Sequence, residues 1–130
     1  MAMDAADLTV TVSPDAALLT LSGEVDVNTV PGWQEMATEA LQHKPSTVVV
    51  DLSAVTFMDS SGLGVLAVLV RATRGTGATL YAVRPCPVVR RVITVCGLDG
   101  YFTFVDEADA RLAELTGSTD LTGEPEQATR

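Results

Sequence analysis

Phe57-Met58-Asp59-Ser60-Ser61-Gly62-Leu63-Gly64-Val65-Leu66 is the stretch whose reading decides the fold. Ahead of it lies Val48-Val49-Val50-Asp51-Leu52, whose unbroken valines predict a strand buried on both faces. Behind it, Leu63, Leu66, Ala67 and Val70 recur at helical spacing. They predict a helix over 61–74, stopped by Gly75-Thr76-Gly77. An acid and two hydroxyls therefore stand where a buried strand feeds a helix. The carboxyl ends of parallel strands are the usual binding edge of open α/β sheets, so Ser60 is the residue to explain first.

The rest of the chain arranges itself around this junction. Leu8, Val10 and Val12 alternate with Thr9 and Thr11, the pattern of a half-exposed strand. Ser13-Pro14-Asp15 reads as a turn, and 18–21 as a second strand in hairpin with the first. Ser22-Gly23-Glu24-Val25-Asp26 is expected to leave the sheet. Asn28 or Thr29 can cap a helix with Pro31 in its first turn and Val30, Trp33, Ala37, Ala40 and Leu41 on one face. The central strand is expected over 47–51, and the next over 79–83. Pro87 opens a further helix whose stripe is Val88, Val89, Val92, Ile93 and Cys96, with Gly97 beyond its end. A short strand over 101–105 precedes Asp106-Glu107, which suits the start of a fourth helix with Ala108, Leu112 and Leu115 inward.

This order predicts an α/β fold with a single mixed β-sheet of about five strands and about four helices. An N-terminal hairpin joins parallel strands linked by right-handed crossovers. Residues 1–6 read as a flexible N-terminus, 7–116 as the domain, and 117–130 as a disordered tail of Gly, Ser, Thr, Glu and Pro without periodicity.

Composition narrows the function. A net charge of −9, with eight scattered Lys and Arg, argues against nucleic acid, which needs a basic face. No apolar run approaches the roughly 20 residues that span a bilayer, so no membrane association is expected. The N-terminus lacks the pattern of a secretory signal, and Cys86 and Cys96 lack metal spacing. A reduced, cytoplasmic setting without metal or cofactor is the expectation. With no large exposed apolar stripe, the chain is expected to be a monomer.

Ser60 has two readings. As an N-cap, its oxygen would accept from free helix amides, worth about 1 kcal/mol. Gly62 and Gly64 cost the first helical turn about 1 kcal/mol each relative to Ala, which points to close backbone approach, to the sheet or to something docking. As a modification site, a serine at a helix N-terminus can carry a phosphate without refolding. Such a phosphate would add about −1.5 to −2 charge units to an acidic edge and block docking there.

Two motifs carry a family resemblance. The stretch from Phe57 to Leu66, between strand and helix, resembles the signature of the STAS-domain anti-sigma factor antagonists. Leu21-Ser22-Gly23-Glu24-Val25-Asp26 resembles that family's Leu-x-Gly-Glu-Leu/Val-Asp stretch, with Val25 in place of the commoner Leu. The element order matches the family over 8–115. The resemblance implies a phosphorylation-controlled partner switch. The unphosphorylated protein would bind an anti-sigma factor that is also a serine kinase, freeing a sigma factor. Phosphorylation would release it, and a PP2C-type phosphatase would restore it. By the same resemblance the phosphoacceptor is Ser60, and Asp26, Asp59, Ser61 and Gly62 join it in the docking surface.

Two other functions compete with this reading. A serine hydrolase needs a base beside Ser60, and neither Gly-x-Ser-x-Gly nor a P-loop is present, so no intrinsic catalysis and no catalytic residue is expected. A STAS interaction module in a stress-signalling or lipid-transport assembly is the alternative, and the retained phosphoacceptor motif favours the sigma-antagonist reading. His43 is expected to face solvent, Trp33 to lie in the core, and Arg90-Arg91 to form a solvated face.

Overall fold

In the computed structural model, which describes residues 6–28 and 31–106, the elements follow the expected order. They are β1 (Asp7–Val12), β2 (Ala16–Val25), α1 (Trp33–Ala40), β3 (Thr47–Met58), α2 (Ser60–Thr73), β4 (Thr79–Val83), α3 (Pro87–Val95), a 3-10 turn (Asp99–Tyr101) and β5 (Thr103–Val105). The five strands form one sheet in the order β1-β2-β3-β4-β5. β1 is antiparallel to β2 and the remaining pairs are parallel. The mixed five-stranded sheet is the one expected. The described residues hold three α-helices against the expected four, and the fourth, from Glu107 onward, lies outside them.

The strand order never reverses, and this has a consequence for layering. Each right-handed crossover steps the same way along the sheet, so α1, α2 and α3 fall on one face. The core has that composition: Ala17, Leu19, Leu21, Val48, Val50, Leu80 and Ala82 cluster with Trp33, Ala37, Leu66, Leu69, Val89 and Ile93. Val49 and Val83 are buried outside that cluster, on alternate positions that face the other side of the sheet. The central valines are thus buried on both faces, as their unbroken run implies. A sheet wound in one direction has no switch point, so the site cannot be a crevice of the kind that strand reversal opens.

Several boundaries differ from expectation. β2 does not end at 21: Ser22 pairs with Ala54, Glu24 with Phe57 and Val25 with Met58. β3 correspondingly runs to Met58, seven residues beyond its last pairing with β4 at Asp51. Register shifts at Thr20/Ser22 and Gly23/Glu24, with Gly23 at φ 83°, break the alternation. Burial in β3 then falls on Leu52, Val55 and Met58, a spacing of three that hides a strand from a period-two reading.

The first helix is not capped by Asn28 or Thr29. Gly32 holds its N-cap position at φ 87°, a left-handed conformation that favours glycine, without a side-chain bond. Trp33, Ala37, Ala40 and Leu41 are buried as expected. In α3 only Val89 and Ile93 of the expected stripe are fully buried; Val88 is 51% exposed and Cys96 is also exposed. The helix meets the sheet along a narrower line than five apolar positions suggested. The last strand starts at Thr103, because Tyr101 belongs to the 3-10 turn. Arg90 is not simply solvated: its guanidinium carbon lies 3.7 Å from the centroid of the Phe104 ring, a cation–π contact. His43 is exposed as expected, its Nε2 3.0 Å from the Ser13 carbonyl oxygen. Cys86 and Cys96 are free thiols.

Candidate functional site

The site begins with the parallel pairing of β2 and β3. Val25 and Met58 are the last paired residues, so the two strands end side by side at one sheet edge. Asp26 and Asp59 follow them directly. The amide of Asp59 donates to the Val25 carbonyl oxygen at 3.1 Å, which ties the start of α2 to the end of β2. Two motifs about 30 residues apart in sequence thus meet at one place.

Asp59, not Ser60, is the N-cap of α2. It has extended backbone, and its Oδ1 accepts from the amides of Ser61 at 2.8 Å and Gly62 at 3.4 Å. Three consecutive residues, Asp59, Ser60 and Ser61, could each cap a helix on type alone. The bond to Val25 decides among them by fixing Asp59 where strand ends and helix begins. Ser60 becomes the first helical residue, and it is exposed. Ser61 is half-buried and supplies the amide that the cap binds most closely.

Capping by Asp59 changes the electrostatics expected of the site. The amides of Ser61 and Gly62 are already taken by a carboxylate, so they do not wait for a phosphate. A group on the Ser60 hydroxyl would project outside the cap. It would sit beside the carboxylate of Asp59 and near the end of β2, where half-buried Asp26 accepts the amide of Asn28 at 2.9 Å. Ser60 is exposed, so such a group would meet solvent and the helix dipole rather than the amides that Asp59 already holds.

Gly62 is buried, and its place explains the glycine. A Cβ there would lie 2.6 Å from Met58 Cγ and 2.8 Å from Val25 Cγ1. The first turn of α2 therefore rests directly on the last residues of β2 and β3. Gly64 is different, since a Cβ there would meet only the end of the Gln34 side chain, with Nε2 at 2.7 Å. The close approach inferred from the two glycines is thus to the sheet at one position and to α1 at the other.

Sequence reasoning brought Asp26, Asp59, Ser60, Ser61 and Gly62 to this site, and the structure places them together. It missed two apolar neighbours. Val27 is 64% exposed directly after Asp26, and Phe57 is 43% exposed two residues before Asp59. Both stand exposed, and both lie within two residues of a site aspartate in sequence. Phe57 lies inside the motif, and only its position on the overhanging part of β3 shows that it is not core.

An Asp59→Ala substitution is expected to lower stability by about 1 kcal/mol through loss of the cap, and Asp59→Asn to restore most of it. Urea unfolding of the two variants measures the difference.

No described helix is long and apolar enough to cross a membrane. The described residues also hold no group of three or more His, Cys, Asp or Glu placed to bind a metal.

Known proteins resemble this chain in sequence and fold. Residues 7–110 match the STAS domain family. The anti-sigma-F factor antagonist RsfB of Mycobacterium tuberculosis is 35% identical over 116 residues, covering 89% of this chain and 94% of its own. The crystal structure of an anti-sigma factor antagonist from Mycobacterium paratuberculosis superposes with a TM-score of 0.72 at 28% identity, covering 87% of this chain and 96% of that one. The Bacillus cell fate determinant SpoIIAA in its phosphorylated form gives 0.63 at 25% identity, covering 82% and 96%.

Proposed function

Because the chain belongs to the STAS-domain family of anti-sigma factor antagonists, we propose that it binds an anti-sigma factor through the edge formed by Asp26, Asp59 and Ser60 and thereby frees a sigma factor. The anti-sigma factor is proposed to be a serine kinase that phosphorylates Ser60 and so ends its own capture. A PP2C-type phosphatase would reverse the modification, in the cytoplasm. The chain itself supplies no catalysis, only the hydroxyl.

The observation that carries this reading is the exposure of Ser60 at the first position of α2, outside a cap that Asp59 already satisfies. The hydroxyl is free for an incoming kinase, and its modification disturbs no bond that holds the helix. Phosphorylation would then change what docks rather than how the chain folds. The flanking Phe57 and Val27 supply apolar area for a protein partner, and the carboxylates suit a basic one.

Incubation with the cognate kinase and ATP is expected to add one phosphate by intact mass. Ser60→Ala is expected to abolish the gain with an unchanged thermal melt. A phosphate that persists on the Ser60→Ala protein would move the acceptor to Ser61 or elsewhere.

A further inference from the structure

The sheet beneath Gly62 accounts for that glycine, but the fold does not account for Gly64. Inside a helix, glycine is less favourable than alanine. Gly64 lies within α2 and is not among the residues of positive φ, so its backbone conformation does not require glycine. A Cβ there would meet one group, the tip of the Gln34 side chain, with Nε2 at 2.7 Å and Cδ at 3.8 Å. Gln34 is exposed, so that tip can swing into solvent. Among the described residues, nothing needs a bare backbone at this position.

The neighbours of Gly64 suggest what does. Ser60, Gly64, Val68 and Arg71 follow one another at steps of four, four and three residues, so they stand in one line along α2. Gly64 is about 6 Å along the helix from Ser60. Beyond Gly64 the line enters an open groove of about 510 Å³ between α1 and α2, where Val68 and Arg71 face Gln34, Glu35 and Glu39. Two carboxylates thus line the groove against one guanidinium. Gln34 overlies Gly64 and also lines the groove, so the Ser60 turn and the groove form one continuous surface.

We infer that the anti-sigma factor seats its main chain against Gly64, one turn beyond Ser60, and lays a basic side chain in the α1/α2 groove. This rests on the proposed capture through the Ser60 edge and extends that contact along α2. A position without Cβ lets a partner's backbone come closer to the helix than any side chain would permit. The groove's excess of negative charge attracts a cation, and salt screens the attraction. The two positions then divide the work. Modification at Ser60 decides when the complex forms, and shape at Gly64 decides with whom, since a partner that cannot approach closely leaves the gap unfilled. The helix gives up stability at Gly64 for that selectivity.

Titration calorimetry of the full chain against the purified anti-sigma factor, the kinase that modifies Ser60, tests this, with a thermal melt of every variant. Gly64→Ala is expected to melt higher than the parent and to bind about fivefold or more weakly. Gly64→Gln, whose new residue also favours helix, is expected to keep the fold and bind more weakly still. A purely structural role would move melt and affinity in the same direction. In a Gln34→Ala background, Gly64→Ala is expected to weaken binding by the same factor, because the added methyl and not a displaced Gln34 meets the partner. Glu39→Lys is expected to weaken binding at low salt and less so at high salt. Gly64→Ala at parental affinity overturns the inference. So does a loss that vanishes in the Gln34→Ala background, or a Glu39→Lys variant that binds as the parent does at every salt concentration. In each of these cases the parent still binds and Ser60→Asp still weakens it, so capture through the Ser60 edge stands. A parent chain that binds no anti-sigma factor overturns that capture and the Gly64 contact together.

Discussion

A Ser60→Asp variant is expected to bind its anti-sigma factor on the order of 100-fold more weakly than the parent chain, with no loss of fold stability. The two halves of that expectation have separate causes. Ser60 is the first residue of α2, and an acid in a first helical turn interacts favourably with the helix dipole by about 0.3–1 kcal/mol. The fold should therefore be as stable or slightly more so. Binding is expected to respond the other way, because the new charge joins Asp59 and the nearby Asp26 at the edge proposed to meet the partner. Like-charge crowding at an interface costs several kcal/mol, and a phosphate, with about −1.5 to −2 charge units, would cost more than an aspartate. Titration calorimetry and a thermal melt on the same samples measure both. Undiminished binding by Ser60→Asp would show that charge at this position is not what the partner reads.

The second large effect concerns Gly62. Replacing glycine by alanine inside a helix ordinarily gains about 1 kcal/mol. At Gly62 the added carbon would lie 2.6 Å from Met58 Cγ, 2.8 Å from Val25 Cγ1 and 3.3 Å from the Val25 carbonyl oxygen. Val25 is fully buried and branched at Cβ, and its backbone is held in the sheet, so it cannot yield cheaply. Overpacking costs about 1–3 kcal/mol and outweighs the propensity gain. Gly62→Ala is expected to destabilise by about 1 kcal/mol, and Gly62→Val by about 3 kcal/mol, in urea unfolding. Gly62→Val should also impair partner binding, since the displaced residues carry Asp26 and Asp59. Gly64→Ala is the internal control. Its new carbon meets only the tip of the exposed Gln34 side chain, which can swing away, so this variant should gain up to about 1 kcal/mol.

The parts of the fold legible in the sequence are those where one periodicity holds throughout an element. The valines of β3, the alternation in β1 and the proline that opens α3 all belong here. The illegible parts are where periodicity is broken by tertiary pairing. The end of β2 and the second half of β3 look like loop because bulges space their buried residues by three. The Gly32 cap could not be seen, since nothing local distinguishes it from a loop glycine before the backbone is known. The proximity of the candidate residues was legible, but the cap that orders them was not. Asp59, Ser60 and Ser61 are interchangeable as caps on paper, and the amide of Asp59 meeting the Val25 carbonyl settles the order. The exposure of Phe57 and Val27 is a property of the assembled edge and has no local sequence signal.

That packing of Gly62 on Val25 and Met58 has an evolutionary corollary. The side chains of Val25 and Met58 fill the space a Cβ at position 62 would need, although the three residues come from two separate motifs. Drift at one position is then conditional on the others: a lineage that acquires a larger residue at 62 needs a smaller one at 25 or 58 before it can keep it. Substitutions at positions 62, 25 and 58 are therefore expected to be tolerated in compensating pairs rather than one at a time.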